Sequence, residues 1–329
     1  MKRRHWWWLL IVGLIFAAGC APQKQADTHS IKQSTQQKKN DSSQAKSKKA
    51  KASTSQSSRA DNWNATKQAD LSTFMKKWQT AMGQQYQGTY DGQKPNHLGF
   101  IFPDTLQNGN LVERLSLYHE KVQLEWSTDG AKETGIQVVA VATGGKPQAM
   151  YPTTYFFCFY EGRPVVFVTQ TTNGNILYLS DTQNAELQAG FAQIVTGKSP
   201  TMLSDADLNN AVVSSLSANP PQLPKAYQGT WYTYNKTSQT VQSFTLDAGG
   251  KLLYADDMTP KWVHIFGQNQ TAGAGDYYYV RYRFFLGRQI PVMMRGYGAG
   301  AWFSDNAYQK ESQAAVMQDW QFGDEPKTQ

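Results

Sequence analysis

Cysteine and histidine are scarce in this sequence, with two and five residues among 329. Two cysteines cannot build a framework of several disulfides. No two of the histidines, His5, His29, His97, His119 and His264, lie within a helical turn of each other, so the common helical spacing of metal ligands is missing and no metal is expected. The Gly-rich stretch Gly296-Tyr297-Gly298-Ala299-Gly300 lacks the Lys and Ser/Thr of a phosphate loop and reads as a bend, so no cofactor is expected either. Long apolar runs are short too. Trp6 to Ala18 spans thirteen residues, whereas a membrane-crossing helix needs about 20.

What is present begins at the N-terminus. Lys2, Arg3 and Arg4 precede the apolar run, and Ala17-Ala18-Gly19-Cys20 follows it. A basic segment, a short apolar segment and small residues before a cut make a signal peptide over residues 1–19. Small residues directly before a cysteine resemble the lipobox of bacterial lipoproteins, in which the thiol receives diacylglycerol and becomes the new N-terminus. Ala17 stands where that family has Leu. The resemblance implies lipid attachment at Cys20, and two acyl chains give stable rather than reversible anchoring. Cleavage by an ordinary signal peptidase at the same bond is the alternative, and it leaves an exposed thiol at the mature end. With Cys20 acylated, Cys158 has no partner. It sits in Tyr155-Phe156-Phe157-Cys158-Phe159-Tyr160 and reads as a small buried hydrophobe.

The formal charge of +7 suggests an anionic partner, but its distribution locates it. Residues 20–61 hold nine Lys/Arg against three Asp, and residues 62–329 hold 20 Lys/Arg against 22 Asp/Glu. The basic character belongs to residues 20–61, which are rich in Ser, Gln, Lys and Ala and carry no aromatic residue. Such a segment buries too little apolar surface to offset its ordering entropy and reads as a disordered tether. Its lysines suit an anionic membrane or wall polymer, at about 1 kcal/mol per charge near the surface. A plain solvated spacer is the alternative. Nucleic acid is not an expected partner, because a duplex binder carries its basic patch on the folded surface.

Order begins near Trp63. Trp63, Lys67, Leu71, Phe74, Met75, Trp78 and Met82 recur every three or four residues, the spacing of one helical face. Asp61, Asn62 or Asn64 can cap that helix, and Trp63, Phe74, Trp78 and Met82 are the expected core residues. Strand patterns follow at 97–102, 113–126, 135–142, 154–160, 165–170 and 176–180, and a closing helix at 181–195. The pattern predicts an α+β domain over residues 62–197. Its opening, Trp63-Asn64-x-x-Lys67, Leu71-x-x-Phe74-Met75-x-x-Trp78 and Met82-x-Gln84-x-Tyr86, resembles a domain of unknown function. That domain occurs in extracellular lipoproteins of lactic-acid and related Gram-positive bacteria. The resemblance implies a Gram-positive cell surface and brings no established activity with it.

Pro200, Pro220, Pro221 and Pro224 punctuate a linker over 198–226, with a short helix expected at 205–216. Residues 227–329 alternate short aromatic strands with turns, which predicts an all-β small barrel or sandwich. Gly229-Thr230-Trp231 is similar to the Gly-x-Trp that opens lipocalin-type barrels, which makes Trp231 a candidate ligand-binding residue. In Tyr277–Phe284 alternation sets Tyr277, Tyr279, Arg281 and Arg283 on one face. Arg281 and Arg283 beside tyrosines are candidates for binding a carboxylate, phosphate or sugar on a small ligand. An ordinary solvated strand face is the alternative.

These readings lead to an expectation of a membrane-anchored extracellular protein, binding or structural rather than enzymatic, with no catalytic residues assigned. The competing expectation is a hydrolase acting on the cell wall, for which two carboxylates must face one bond. Asp256 and Asp257 are adjacent, and adjacent strand residues point to opposite faces.

Overall fold

The computed structural model describes residues 62–202, 223–247, 251–254, 262–266, 276–298 and 301–326. The expected signal peptide, tether and short linker helix, and with them Cys20 and the Asp256-Asp257 pair, lie outside these residues. The described chain is mostly β with a few helices.

Helix α1 (Ala65–Ala81) starts where Asn64 Oδ1 accepts the Lys67 N–H at 3.0 Å, satisfying a donor that has no partner inside the helix. Leu71, Phe74, Met75 and Trp78 line its buried face, and Trp63 is buried beside them. Met82 departs from expectation. The helix ends at Ala81, so Met82 becomes its C-terminal cap and is 40% exposed. Gly83 follows at φ +60° and turns the chain into β1 (Gln85–Gly88).

Two expected strands break up. The pattern at 97–102 becomes β2 (Asn96–His97) and β3 (Phe100–Ile101), because Leu98 and Gly99 both have positive φ. After α2 (Asp104–Gln107), the pattern at 113–126 becomes β4 (Leu115–Leu117), β5 (Glu120–Lys121) and β6 (Leu124–Trp126). Tyr118 and His119, at φ +49° and +71°, interrupt it there. Alternation alone does not reveal where the backbone turns left-handed.

Next come β7 (Ile136–Gly145), β8 (Thr153–Tyr160), β9 (Arg163–Thr169), β10 (Leu177–Asp181) and α3 (Ala185–Val195). Helix α3 begins later than its apolar pattern suggests, with Asn184 Oδ1 accepting the Leu187 N–H at 2.9 Å. Asp181, expected in that helix, instead ends β10. The sheet runs β1-β7-β8-β9-β10-β4-β5, with β6 joined to β7. The β4–β10 and β6–β7 pairs are parallel.

The residues from Ile136 to Thr143 are all buried, because both faces of this sheet are covered. One face packs Phe157, Phe159 and Val166 against Phe74 and Trp78 of α1 and Leu187, Phe191 and Ile194 of α3. The other packs Val138, Val141, Phe156, Cys158, Val165 and Phe167 with Ile290, Val292, Tyr308, Ala314 and Met317. A bulge between Val138 and Ala140 lets Val138 and Val141 share that second face.

The buried residues that cover it come from the last strands and helix of a second set of elements, β11 (Gly229–Asn235), β12 (Thr240–Leu246), β13 (Lys251–Tyr254), β14 (Val263–Phe266), β15 (Asp276–Phe285), β16 (Arg288–Tyr297), β17 (Trp302–Tyr308) and α4 (Glu311–Met317). These strands form an antiparallel half-barrel in the order β12-β11-β17-β16-β15-β14-β13. Helix α4 was not expected from the sequence. At seven residues it spans barely two turns, so few apolar positions mark it in the sequence, yet Ala314 and Met317 join the shared core.

The carboxylate of Asp181 connects the two sheets. Its Oδ2 accepts the Tyr118 hydroxyl at 2.7 Å and the Leu286 N–H at 2.8 Å, and its Oδ1 accepts the Gly287 N–H at 2.7 Å. Leu286 and Gly287 form the turn between β15 and β16. Gly287 has φ +72°, and a Cβ there would lie 2.9 Å from the Pro164 carbonyl oxygen. Both the turn and its close approach therefore need glycine. Burial pushes the Asp181 carboxyl up to about 6, against the pull of its three donors.

Candidate functional site

Trp231 and the two arginines do not converge. Trp231 is fully buried inside the half-barrel with Tyr278, Val280 and Met293, and its Nε1–H donates to the Tyr227 carbonyl at 2.8 Å. Arg281 alternates to the opposite face of β15 from Tyr278 and Val280. The solvated face considered for Arg281 is not what the fold presents, because residues 320–325 cover it.

Both arginines do bind carboxylates, and these belong to the chain itself. Arg281 is 1% exposed. Its Nε donates to Asp324 Oδ2 at 2.8 Å and its Nη2 to Glu325 Oε1 at 2.6 Å, while Nη1 reaches Asn306 Oδ1 at 3.0 Å. Arg283 also donates to Asp324. Glu325 in turn accepts the Phe322 N–H at 2.9 Å and the Asn306 amide at 2.8 Å. Burial lowers Arg281 and Arg283 to about 10, which leaves both charged at neutral pH. These charges pair with one another, so the cluster fastens the C-terminal segment.

Cys158 and His97, also inside the fold, are not set up for chemistry. Burial raises the Cys158 thiol well above its usual value, the reverse of an activated nucleophile. His97 is buried between the Thr154 hydroxyl and the Thr171 carbonyl, each at 2.9 Å, and burial lowers its pKa. Among the described residues no group of His, Cys, Asp and Glu is arranged to hold a metal ion, and no helix is long and apolar enough to cross a membrane.

An open feature lies at the edge of the first sheet. A groove of about 690 Å³ is bounded by the start of β1, the loop 146–152 between β7 and β8, the start of β8, and Gln170. Its apolar walls are Tyr86, Tyr151 and Tyr155, and Gln84, Gln148 and Gln170 are its amides. Tyr86 and Tyr155 have ring centroids 5.5 Å apart, and each lies within 5.8 Å of buried Trp78. That packing holds both rings in place before any ligand arrives. The Tyr86 hydroxyl donates to Gln84 Oε1 at 2.9 Å, which orients that amide. Tyr151 is 48% exposed. Among the residues lining the groove, Lys146 is the one that carries a charge at neutral pH.

Sequence patterning passed over this groove because its parts are 60 to 90 positions apart and several lie in a loop with no period. The available hint was the pair Met150-Tyr151 between Pro147 and Pro152, an apolar pair in a turn-forming stretch.

A domain of unknown function (DUF4767) spans residues 60–195. The groove lies within it. No curated protein and no solved structure matches the chain.

Proposed function

We propose that this chain is a lipid-anchored extracellular protein that works by binding at the cell surface, and that its function is not enzymatic. The observation that carries the reading is the groove at Tyr86, Tyr151 and Tyr155. It offers rigid aromatic faces and neutral amides but no carboxylate pair or histidine, which suits recognition rather than proton transfer. The buried carboxylates Asp181 and Glu325 face internal donors rather than this groove.

The anchor in this reading is diacylglycerol on Cys20, supported by the basic start, the thirteen-residue apolar run and the small residues before the cysteine. In this reading residues 20–61, basic and without aromatic residues, separate the anchor from the rest of the chain on a Gram-positive cell surface. The Gly229-Thr230-Trp231 start and the half-barrel's meander support a lipocalin-like ancestry for the second part. The test is metabolic labelling with a radioactive fatty acid in a Gram-positive host. Wild type should take up label and fractionate with membranes, and Cys20→Ala should do neither. Equal membrane retention of an unlabelled Cys20→Ala protein refutes the anchor.

A further inference from the structure

We infer that the groove beside Tyr86 and Tyr155 is a saccharide site, and that it takes a short stretch of a neutral glycan. The inference rests on the binding role proposed above and names its ligand class. A pyranose ring has an apolar C–H face and a rim of hydroxyls, so its receptor needs an aromatic face flanked by groups that both donate and accept. Tyr86, Tyr151 and Tyr155 supply the faces, whose negative π surface attracts C–H groups. Gln84, Gln148 and Gln170 supply side-chain amides, each with two donors and one acceptor oxygen. The volume of about 690 Å³ falls in the range of small-ligand sites, and the groove is open to solvent along its length, as a chain ligand requires.

Charge and backbone narrow the choice further. An anionic ligand calls for paired cations, but Lys146 is the one cation of the lining, and Arg281 and Arg283 are bound to Asp324 and Glu325. An extended peptide adding itself to the edge strand β1 needs its free N–H groups. The Tyr86 N–H instead donates to Gln79 Oε1 at 2.9 Å. Two aromatic faces are fixed by packing on Trp78, so little ordering entropy opposes binding there. Tyr151, on an exposed loop, is the third aromatic residue of the lining.

The experiment titrates the full-length protein with N-acetylglucosamine, glucose and maltose-type tetrasaccharides and with one Tyr/Pro-rich decapeptide, read by calorimetry and intrinsic fluorescence. At least one tetrasaccharide should bind with a Kd on the order of 0.1–1 mM. Tyr151→Ala should weaken it about tenfold or more at unchanged melting temperature. Gln148→Ala should weaken it several-fold, and Lys146→Ala by less than about twofold, as expected for a neutral ligand. Three results overturn the inference: no tetrasaccharide binding up to about 10 mM, equal binding by Tyr151→Ala and Gln148→Ala, or Tyr151-dependent binding of the peptide alone. Adhesion of the purified protein to cells separates the two levels. If it depends on Tyr151 while no saccharide binds, the ligand class is wrong and the binding role stands; if adhesion also ignores Tyr151, both fall.

Discussion

Replacing Asp181 with Ala removes the acceptor that joins the β15–β16 turn to the first sheet. Three donors lose their partner at once: the Leu286 and Gly287 N–H groups and the Tyr118 hydroxyl, all within 2.8 Å of the carboxylate. Tyr118 is fully buried, and the turn packs against Pro164 and Val165, so water cannot replace the lost acceptor without opening the contact. Hydrogen bonds to a charged group are worth about 1.5–3 kcal/mol each. The desolvation cost of holding Asp181 ionised offsets part of their sum, leaving an expected loss of about 3–5 kcal/mol, the usual range for breaking a buried charged contact. Urea unfolding of the full chain measures it, and a drop in melting temperature on the order of 10 °C should accompany it. Asp181→Asn keeps one acceptor oxygen but turns an amide N–H₂ toward donors, so it should recover only part of the loss. A destabilisation of Asp181→Ala below about 1 kcal/mol would falsify the view that this carboxylate holds the two sheets together.

Trp78→Ala should cost about 3–5 kcal/mol, since the indole is buried against Tyr86 and Tyr155. Lys76→Ala, which breaks only an exposed contact to Asp91, should cost at most about 0.5 kcal/mol; a comparable loss from both in thermal melts refutes the packing argument. Arg281→Ala leaves Glu325 buried without its cation and should destabilise by about 3–5 kcal/mol, with faster proteolysis after residue 318 as the local readout. The pH dependence carries two opposed signs. Burial lowers His97, so its contribution to stability is fully present above its ordinary value of about 6.5 and is lost as pH falls from there through its lowered folded-state value. Asp181 is raised to about 6, so its contribution is full below its ordinary value of about 3.9 and is lost as pH rises through 6. Between pH 7 and 5, His97→Gln should therefore flatten the fall in stability on acidification and Asp181→Ala should steepen it; shifts of the same sign in both variants contradict the assignment.

Much of the described core follows from local pattern. The stripe from Leu71 to Trp78 requires a buried helical face, because apolar residues at three- and four-residue spacing can leave water only together. The Glu161-Gly162 and Gly287 turns and the aromatic runs beside them mark hairpins in the same way, since left-handed backbone and alternation are local properties. Left-handed residues without glycine, such as Glu113, Tyr118 and His119, carry no such mark, and the strand expected across them breaks. Met82 shows how a stripe ends: periodicity continues through it, but the helix stops one residue earlier and turns it outward.

The tertiary structure decided what the polar residues do. Arg281 and Arg283 look like ligand-binding residues because a strand pattern shows a side chain's face and not what covers that face. The cover is Asp324 and Glu325, some forty positions away. Asp181 looks like the start of a helix, and only the arrival of the β15–β16 turn makes it a buried joint. The Tyr86, Tyr151 and Tyr155 groove exists because β1 pairs with the end of β7 and brings the β7–β8 loop beside it. Apolar burial is written in neighbouring residues, since each element must hide its own face. Hydrogen-bond partners and grooves depend on chain closure between distant elements, which no local period records.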